Sequence, residues 1–224
     1  MGEVLGTIAH DLRNPLAALL SNVGYLGMVS RDLPEDIRET IVDIELSVEA
    51  LGRMTLAVAL LGAELTGVDT ARGGVHSAEK LLDLVWPQAE RAAQSHGVGL
   101  RRGPSAKGSC AATEPHAQTA LSALVHNAIA CCPTGQFVTV SLEARDGTMV
   151  FSVEDPGPVL APEFRESAFT MAGQTTTKGR LDGRYSRGLG LYVAGRSASL
   201  AGGTISVVEA PSGNRFELSF PVSR

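Results

Sequence analysis

The sequence predicts an all-α helical hairpin, completed to a four-helix bundle by a second copy, followed by an α+β two-layer sandwich. Three observations carry this expectation. Up to about residue 66 the apolar residues keep helical spacing, broken once by a short polar turn. From Thr66 to Gly74 that spacing gives way to glycines and polar residues. Beyond it, short alternating apolar runs are separated by helical stretches, the pattern of strands layered against helices. The expected bounds are 1–67 for the hairpin, 68–74 for a linker and 75–224 for the mixed domain.

In the first helix Leu5, Ile8, Leu12, Leu16, Leu19, Val23 and Leu26 fall on one stripe. Ser30 to Glu35 reads as a turn, with Asp32 as N-cap and Glu35 as its capping-box partner. The second helix carries Ile37, Ile41, Ile44, Val48, Leu51, Thr55, Val58 and Leu65 in a heptad register, a narrow apolar seam. One hairpin cannot bury both rows, so a homodimer through these helices is expected.

In the mixed domain Val75-His76 suggests a short strand, Ser77 to Ser95 a helix interrupted near Pro87, and Val98 to Arg102 a second strand. Glu114 to Ala130 reads as a helix. Phe137 to Leu142 and Met149 to Glu154 alternate on either side of a turn at Asp146-Gly147. Ala161 to Arg187 has no sustained period and is expected to be a lid or disordered. Leu189 to Ala201 returns to helical spacing, and Thr204 to Glu209 with Arg215 to Phe220 closes the domain as a hairpin. The strands are expected to be antiparallel, covered on one face by helices.

Composition narrows the function. With 224 residues, 44% of them hydrophobic, the chain can build two ordinary cores. A net charge of −5 offers no basic footprint, which argues against nucleic acid as a partner. No apolar run approaches the roughly 20 residues of a membrane span, so a cytoplasmic location is expected. The 3 cysteines, Cys110, Cys131 and Cys132, lie in no metal-ligand spacing with the 5 histidines and read as reduced apolar fillers.

Four stretches carry chemistry. His10 projects roughly 160° from the centre of the apolar stripe, with Asn14 one turn on along the same outer face and Asp11 at its flank. Pro15 deprives the Asp11 carbonyl of its helical hydrogen bond, at a cost of about 3 kcal/mol, so site geometry rather than helix stability accounts for it. Asn127 lies on a helix whose leucines face a core, and its amide oxygen suits hard Mg²⁺. Asp155-Pro156-Gly157 ends a strand with a carboxylate able to accept from an exocyclic amine, and with a glycine that lets a flat base approach. Gly188-Leu189-Gly190 opens a helix whose backbone N–H groups suit phosphate oxygens.

His10-Asp11-Leu12-Arg13-Asn14-Pro15-Leu16 resembles the H-box of two-component sensor histidine kinases. The ordered series of Asn helix, Asp-x-Gly, long loop and Gly-x-Gly resembles the N, G1 and G2 boxes of the GHKL, or Bergerat, ATP-binding fold. Together they cover essentially the whole chain. The resemblance implies His10 as phosphoacceptor, Asp11 as the acid that orients or deprotonates it, and Asn14 as the amide that positions water for dephosphorylation of the partner. It implies Asn127 as Mg²⁺ ligand, Asp155 as adenine reader backed by Gly157, and Gly188, Leu189 and Gly190 as the phosphate cradle. Phe164 and Phe169 resemble the F-box, and Thr175 to Lys178 resembles family lid residues.

The sequence departs from the family pattern at Ala123, Ala130, Val159 and Ser186, which removes phosphate contacts and implies slow turnover. Lys178, Arg180, Arg184 or Arg187 is expected to supply the missing charge, with Lys178 and Arg187 placed in the cofactor site. The implied function is ATP-dependent autophosphorylation of His10, then transfer to an aspartate of a response regulator receiver domain, with phosphatase activity as a further expectation. The alternative is a non-catalytic dimeric nucleotide-binding scaffold. Ala17, Ser21, Tyr25 and Met28 share the His10 face and are expected to meet the regulator. Because the first helix begins only a few turns before His10, the input is expected from a longer protein or a partner.

Overall fold

The computed structural model describes residues 1–30, 32–66, 73–173 and 189–223. The chain divides into two compact units, Met1–Asp69 and Thr70–Arg224.

In the first unit α1 (Gly2–Val29) and α2 (Glu35–Thr66) lie along each other as a hairpin. Helix α1 is helical through Pro15. Helix α2 begins where the Pro34 carbonyl accepts the Arg38 N–H at 3.1 Å, so Asp32 lies outside it and does not cap it. The carboxylates that favour this helix start are Glu35 and Asp36 in the first turn.

Val23, Ile41 and Val48 bury together with Leu16 packed against them, and Ala9, Ala57 and Leu60 are also buried. The predicted stripes are wider than one neighbouring helix can cover. Ile8, Leu12, Leu19 and Leu26 of α1 stay exposed, as do Ile37, Ile44 and Leu51 of α2. Near the start of α1 the backbones touch, since a β-carbon on Gly62 would stand 2.9 Å from the Gly2 carbonyl oxygen.

The second unit is a helix-covered sheet. Its elements are β1 (Gly74–Ser77), α3 (Ala78–Ser95), β2 (Gly99–Ser105), β3 (Ser109–Ala112), α4 (Glu114–Cys131), β4 (Phe137–Arg145) and β5 (Thr148–Asp155). Two 3₁₀ turns follow, Pro162–Phe164 and Ser167–Phe169, and then α5 (Gly190–Leu200), β6 (Thr204–Val208) and β7 (Asn214–Pro221). The main sheet has the order β2-β4-β5-β7-β6, while β1 and β3 pair separately.

Period-two burial explains the layering. Val140 and Leu142 of β4, Phe151 and Val153 of β5, and Phe216 and Leu218 of β7 are register neighbours and fully buried. Helix α4 packs on β4, β5 and β7, α3 on β2, and α5 on α4 and β6. The opposite face carries ions: Arg145 pairs with Glu217, and Arg215 lies 3.1 Å from Glu217 and 3.5 Å from Glu154.

Three expectations are corrected here. Helix α3 runs unbroken through Pro87, because Leu81, Leu82, Val85, Ala89, Ala92 and Ala93 bury its inner face and outweigh the lost hydrogen bond. Strand β2 pairs with β4 in parallel, so the sheet is not purely antiparallel. The aperiodic stretch after Ala161 includes the two 3₁₀ turns. The Asp146-Gly147 turn follows its prediction, with φ of 51° and 74°, the two positive values a type I′ hairpin needs.

Candidate functional site

In the first unit the chemistry sits on the outside of α1. Ala9 is fully buried, which turns the next residue outward, and the His10 side chain is 72% exposed. Its Nδ1 lies 3.4 Å from Asp11 Oδ1, a long contact between side chains of similar exposure. Asn14, Ala17, Ser21, Tyr25 and Met28 are exposed as well. With Nδ1 turned to the carboxylate, Nε2 is the ring nitrogen left for an incoming group.

In the second unit the polar site is buried. Asp155 ends β5 on the face that holds Phe151 and Val153, so the alternation that builds the core also takes its carboxylate inside, to 3% exposure. Its Oδ1 accepts the Gly157 N–H at 2.9 Å. Gly157 is pressed against the end of α4: a β-carbon there would stand 2.4 Å from the Cys131 carbonyl oxygen.

One turn earlier on α4 is Asn127, whose Nδ2 is buried with no hydrogen-bond partner among the described residues. A β-carbon on Gly190, the first residue of α5, would lie 3.9 Å from the Asn127 Oδ1. Leu189 stands at the N-cap of α5, its carbonyl accepting the Val193 N–H at 2.9 Å. The C-terminal half of α4 is thus a common wall, with the Asp155–Gly157 loop at its end and the start of α5 beside Asn127.

The other expected cradle and lid residues, Lys178, Arg180, Arg184, Ser186, Arg187 and Gly188, together with Thr175 to Thr177, lie outside the described residues. Phe169 crosses Phe216 edge-on at 6.3 Å, and Gly195 of α5 admits it, since a β-carbon there would stand 2.6 Å from the Phe169 Cβ. Ala123 is buried and Ala130 half-buried, so neither adds a polar group to α4 near Asn127, and Val159 is exposed.

Sequence reasoning missed Asn214. It opens β7 directly opposite Asp155, is 2% exposed, and takes part in several hydrogen bonds of the Asp155 loop. The available signal was a glycine followed by an amide residue at a strand start, Gly213-Asn214, with Gly213 at a φ of 71°.

The cysteines are free thiols, and burial pushes the Cys110 thiol above its ordinary pKa, which keeps it protonated and inert. Among the described residues no His, Cys, Asp and Glu group has the makings of an all-protein metal cage. The buried Nδ2 of Asn127, a donor with no partner among the described residues, fits an acceptor such as a phosphate oxygen, and its Oδ1 is an atom of a type that suits a cation held mainly by phosphate oxygens and water.

Comparison with known proteins agrees in both units. Residues 1–58 match the model of the His Kinase A (phospho-acceptor) domain, and residues 112–224 match that of the histidine kinase-, DNA gyrase B- and HSP90-like ATPases. The chain is 26% identical to the sensor-like histidine kinase SenX3 of Mycobacterium tuberculosis, over 98% of this chain and 53% of that protein. It is 28% identical to the sensor protein QseC of Salmonella typhimurium, over 92% of this chain and 44% of that protein. The chain therefore spans about half the length of the curated relatives it matches.

Among solved structures, full-length ShkA in complex with AMPPNP superposes with a TM-score of 0.66 at 24% identity, over all of this chain and 46% of that one. The Acinetobacter baumannii histidine kinase AdeS gives a TM-score of 0.61 at 18% identity, over 96% of this chain and 98% of that one. At such identities these two likenesses speak for the fold alone. An outward His-Asp pair on a helical hairpin, a sheet unit with an Asp-x-Gly loop beside a helix asparagine, and the two domain matches together show that the chain belongs to the two-component histidine kinase family, as a catalytic core.

Proposed function

We propose that this chain is the catalytic core of a sensor histidine kinase that phosphorylates its own His10 from ATP and passes the group to an aspartate of a response regulator receiver domain. The observation that carries the reading is the presence in one chain of an exposed His10, contacting Asp11, in the first unit and of a buried Asp155–Gly157 loop beside the end of the Asn127 helix in the second. In this reading Asp155 accepts from the adenine amine with Gly157 behind it, and the Gly188–Gly190 segment offers backbone N–H groups to phosphate. Asn127 Oδ1, with the phosphates, would hold Mg²⁺, which would supply neutralising charge there.

In the transfer step the Nε2 lone pair of His10 attacks the γ-phosphorus. The bond to the β–γ bridging oxygen breaks, and its electron pair leaves with ADP. The imidazole proton on Nδ1 passes toward Asp11, which lies on that side of the ring. Asn14, on the same exposed face, positions water when the regulator is dephosphorylated.

The exposed rows Ile8, Leu12, Leu19, Leu26 and Ile37, Ile44, Leu51 support a homodimer, because a second hairpin would cover them. Among the described residues no helix is long and apolar enough to cross a membrane, and we place the core in the cytoplasm. The test is incubation with γ-labelled ATP and Mg²⁺. Wild type incorporates an acid-labile label that His10→Gln loses entirely while still binding ATP, and a wild-type chain that binds ATP but takes up no label would sink the reading.

A further inference from the structure

Two segments far apart in sequence meet at the end of the sheet, and one side chain ties them. Asn214 and Asp155 are register partners on the helix-covered face, with 2% and 3% exposure. The Asn214 Nδ2 group donates to Asp155 Oδ1 at 3.3 Å, to the Pro158 carbonyl at 2.9 Å and more weakly to the Gly157 carbonyl at 3.5 Å. Its Oδ1 accepts the Leu160 N–H at 2.7 Å. The opposite amide orientation would set a carbonyl against the carboxylate and an NH₂ against an N–H, so the network admits only this one.

The backbone agrees with the close fit. A β-carbon on Gly213 would stand 2.0 Å from the Asp155 carbonyl oxygen, so only a glycine lets β7 begin against this loop.

We propose that Asn214 is the positioning residue that aims Asp155 at the six-position amine of the purine and thereby sets the preference for adenine. The inference rests on the reading of Asp155 as the adenine acceptor. Oδ1 is held by two donors of the chain itself, the Gly157 N–H and the Asn214 amide. With that oxygen fixed, the carboxylate cannot swing about its last torsion, and the direction of the other oxygen follows. Leucine would fill the space with no hydrogen bond, and aspartate would fill it with like charge against Asp155. An amide of this length donates and accepts at once, which is what the loop from Pro156 to Leu160 uses.

The test compares ATP with purine riboside triphosphate, which lacks the six-position amine, by titration of the full chain with Mg²⁺ present. Wild type should prefer ATP by about tenfold or more, the range of a hydrogen bond to a charged acceptor. Asn214→Leu and the isosteric Asn214→Asp should each weaken ATP binding by about tenfold and bring the two nucleotides within about twofold of each other. Thermal melting checks folding, and Asn214→Asp keeps the comparison usable if the leucine variant does not fold.

If both nucleotides weaken equally in a folded variant, Asn214 is only structural and the inference is overturned. An unchanged preference overturns it as well. Asp155→Ala separates the two levels: if that variant keeps the wild-type preference for ATP, the adenine assignment itself fails, and if only the Asn214 variants are silent, the assignment stands without Asn214.

Discussion

His10 stands 72% exposed on α1 with a single described polar contact, a 3.4 Å approach to a neighbour of the same helix, whereas Asp155 is 3% exposed and tied to another strand and to its own loop. On the proposed function the difference follows from what each would have to do. A phosphoacceptor has to be reached first by a nucleotide and then by a separate protein, so anything that buried it would block one of the two. A base reader gains discrimination from being held still and dry, since a displaced acceptor leaves polar groups unpaired. Two glycines show the same contrast locally: on α1 a β-carbon at Gly24 would meet nothing within 4 Å, while at Gly157 it would meet backbone at 2.4 Å.

Breaking the exposed unit takes a change in its apolar rows. Replacing Ile44 and Leu51 together with lysine should convert a dimer into monomers and weaken association at least a thousandfold, because both charges would enter the seam. Analytical ultracentrifugation checks this, and a wild-type chain that is already monomeric at micromolar concentration would refute the dimer.

Within the buried unit Asn127→Ala should remove Mg²⁺-dependent nucleotide binding, a loss of about a hundredfold, while nucleotide binding in EDTA stays as weak as in wild type. Calorimetric titration with and without Mg²⁺ reads this directly. Equal losses with and without Mg²⁺ would move the metal to other residues.

The smallest effects sharpen the comparison most. Gly157→Ala should cost about 1–3 kcal/mol of stability in the second unit, because the neighbour in the way is the Cys131 backbone and not a flexible side chain. Gly24→Ala should stabilise α1 by about 0.5–1 kcal/mol. Thermal unfolding of the two variants checks both signs, and destabilisation by Gly24→Ala would show that this face is already covered.

What could be read in advance depended on how local the cause was. The hairpin, the Asp146-Gly147 turn and helix α4 are written in neighbouring residues, and so are the His10-Asp11 contact and the Asp155-Pro156-Gly157 loop. The continuity of α3 through Pro87 depends on apolar packing that a proline rule does not see. Parallel pairing of β2 with β4 needs a crossover through elements whose placement spacing alone does not reveal. Within each predicted apolar stripe, the neighbouring helix decides which residues are covered, so Val23 is buried and Leu19 is not. Asn214 escaped for the same reason: its role exists only once β7 lies beside β5.

That placement of β7 also governs the order in which the molecule can be made. Helices α1 and α2 meet across one short turn, so their contacts form early and at little loop-closure cost. Strand β5 gains its second neighbour only when Asn214–Pro221 arrives between it and β6, across a long span of chain. During synthesis the hairpin can be complete while the sheet is still missing an interior strand. The last interior strand to arrive carries Asn214, so the hydrogen bonds that tie Asp155, Pro158 and Leu160 to β7 form only when the sheet is whole.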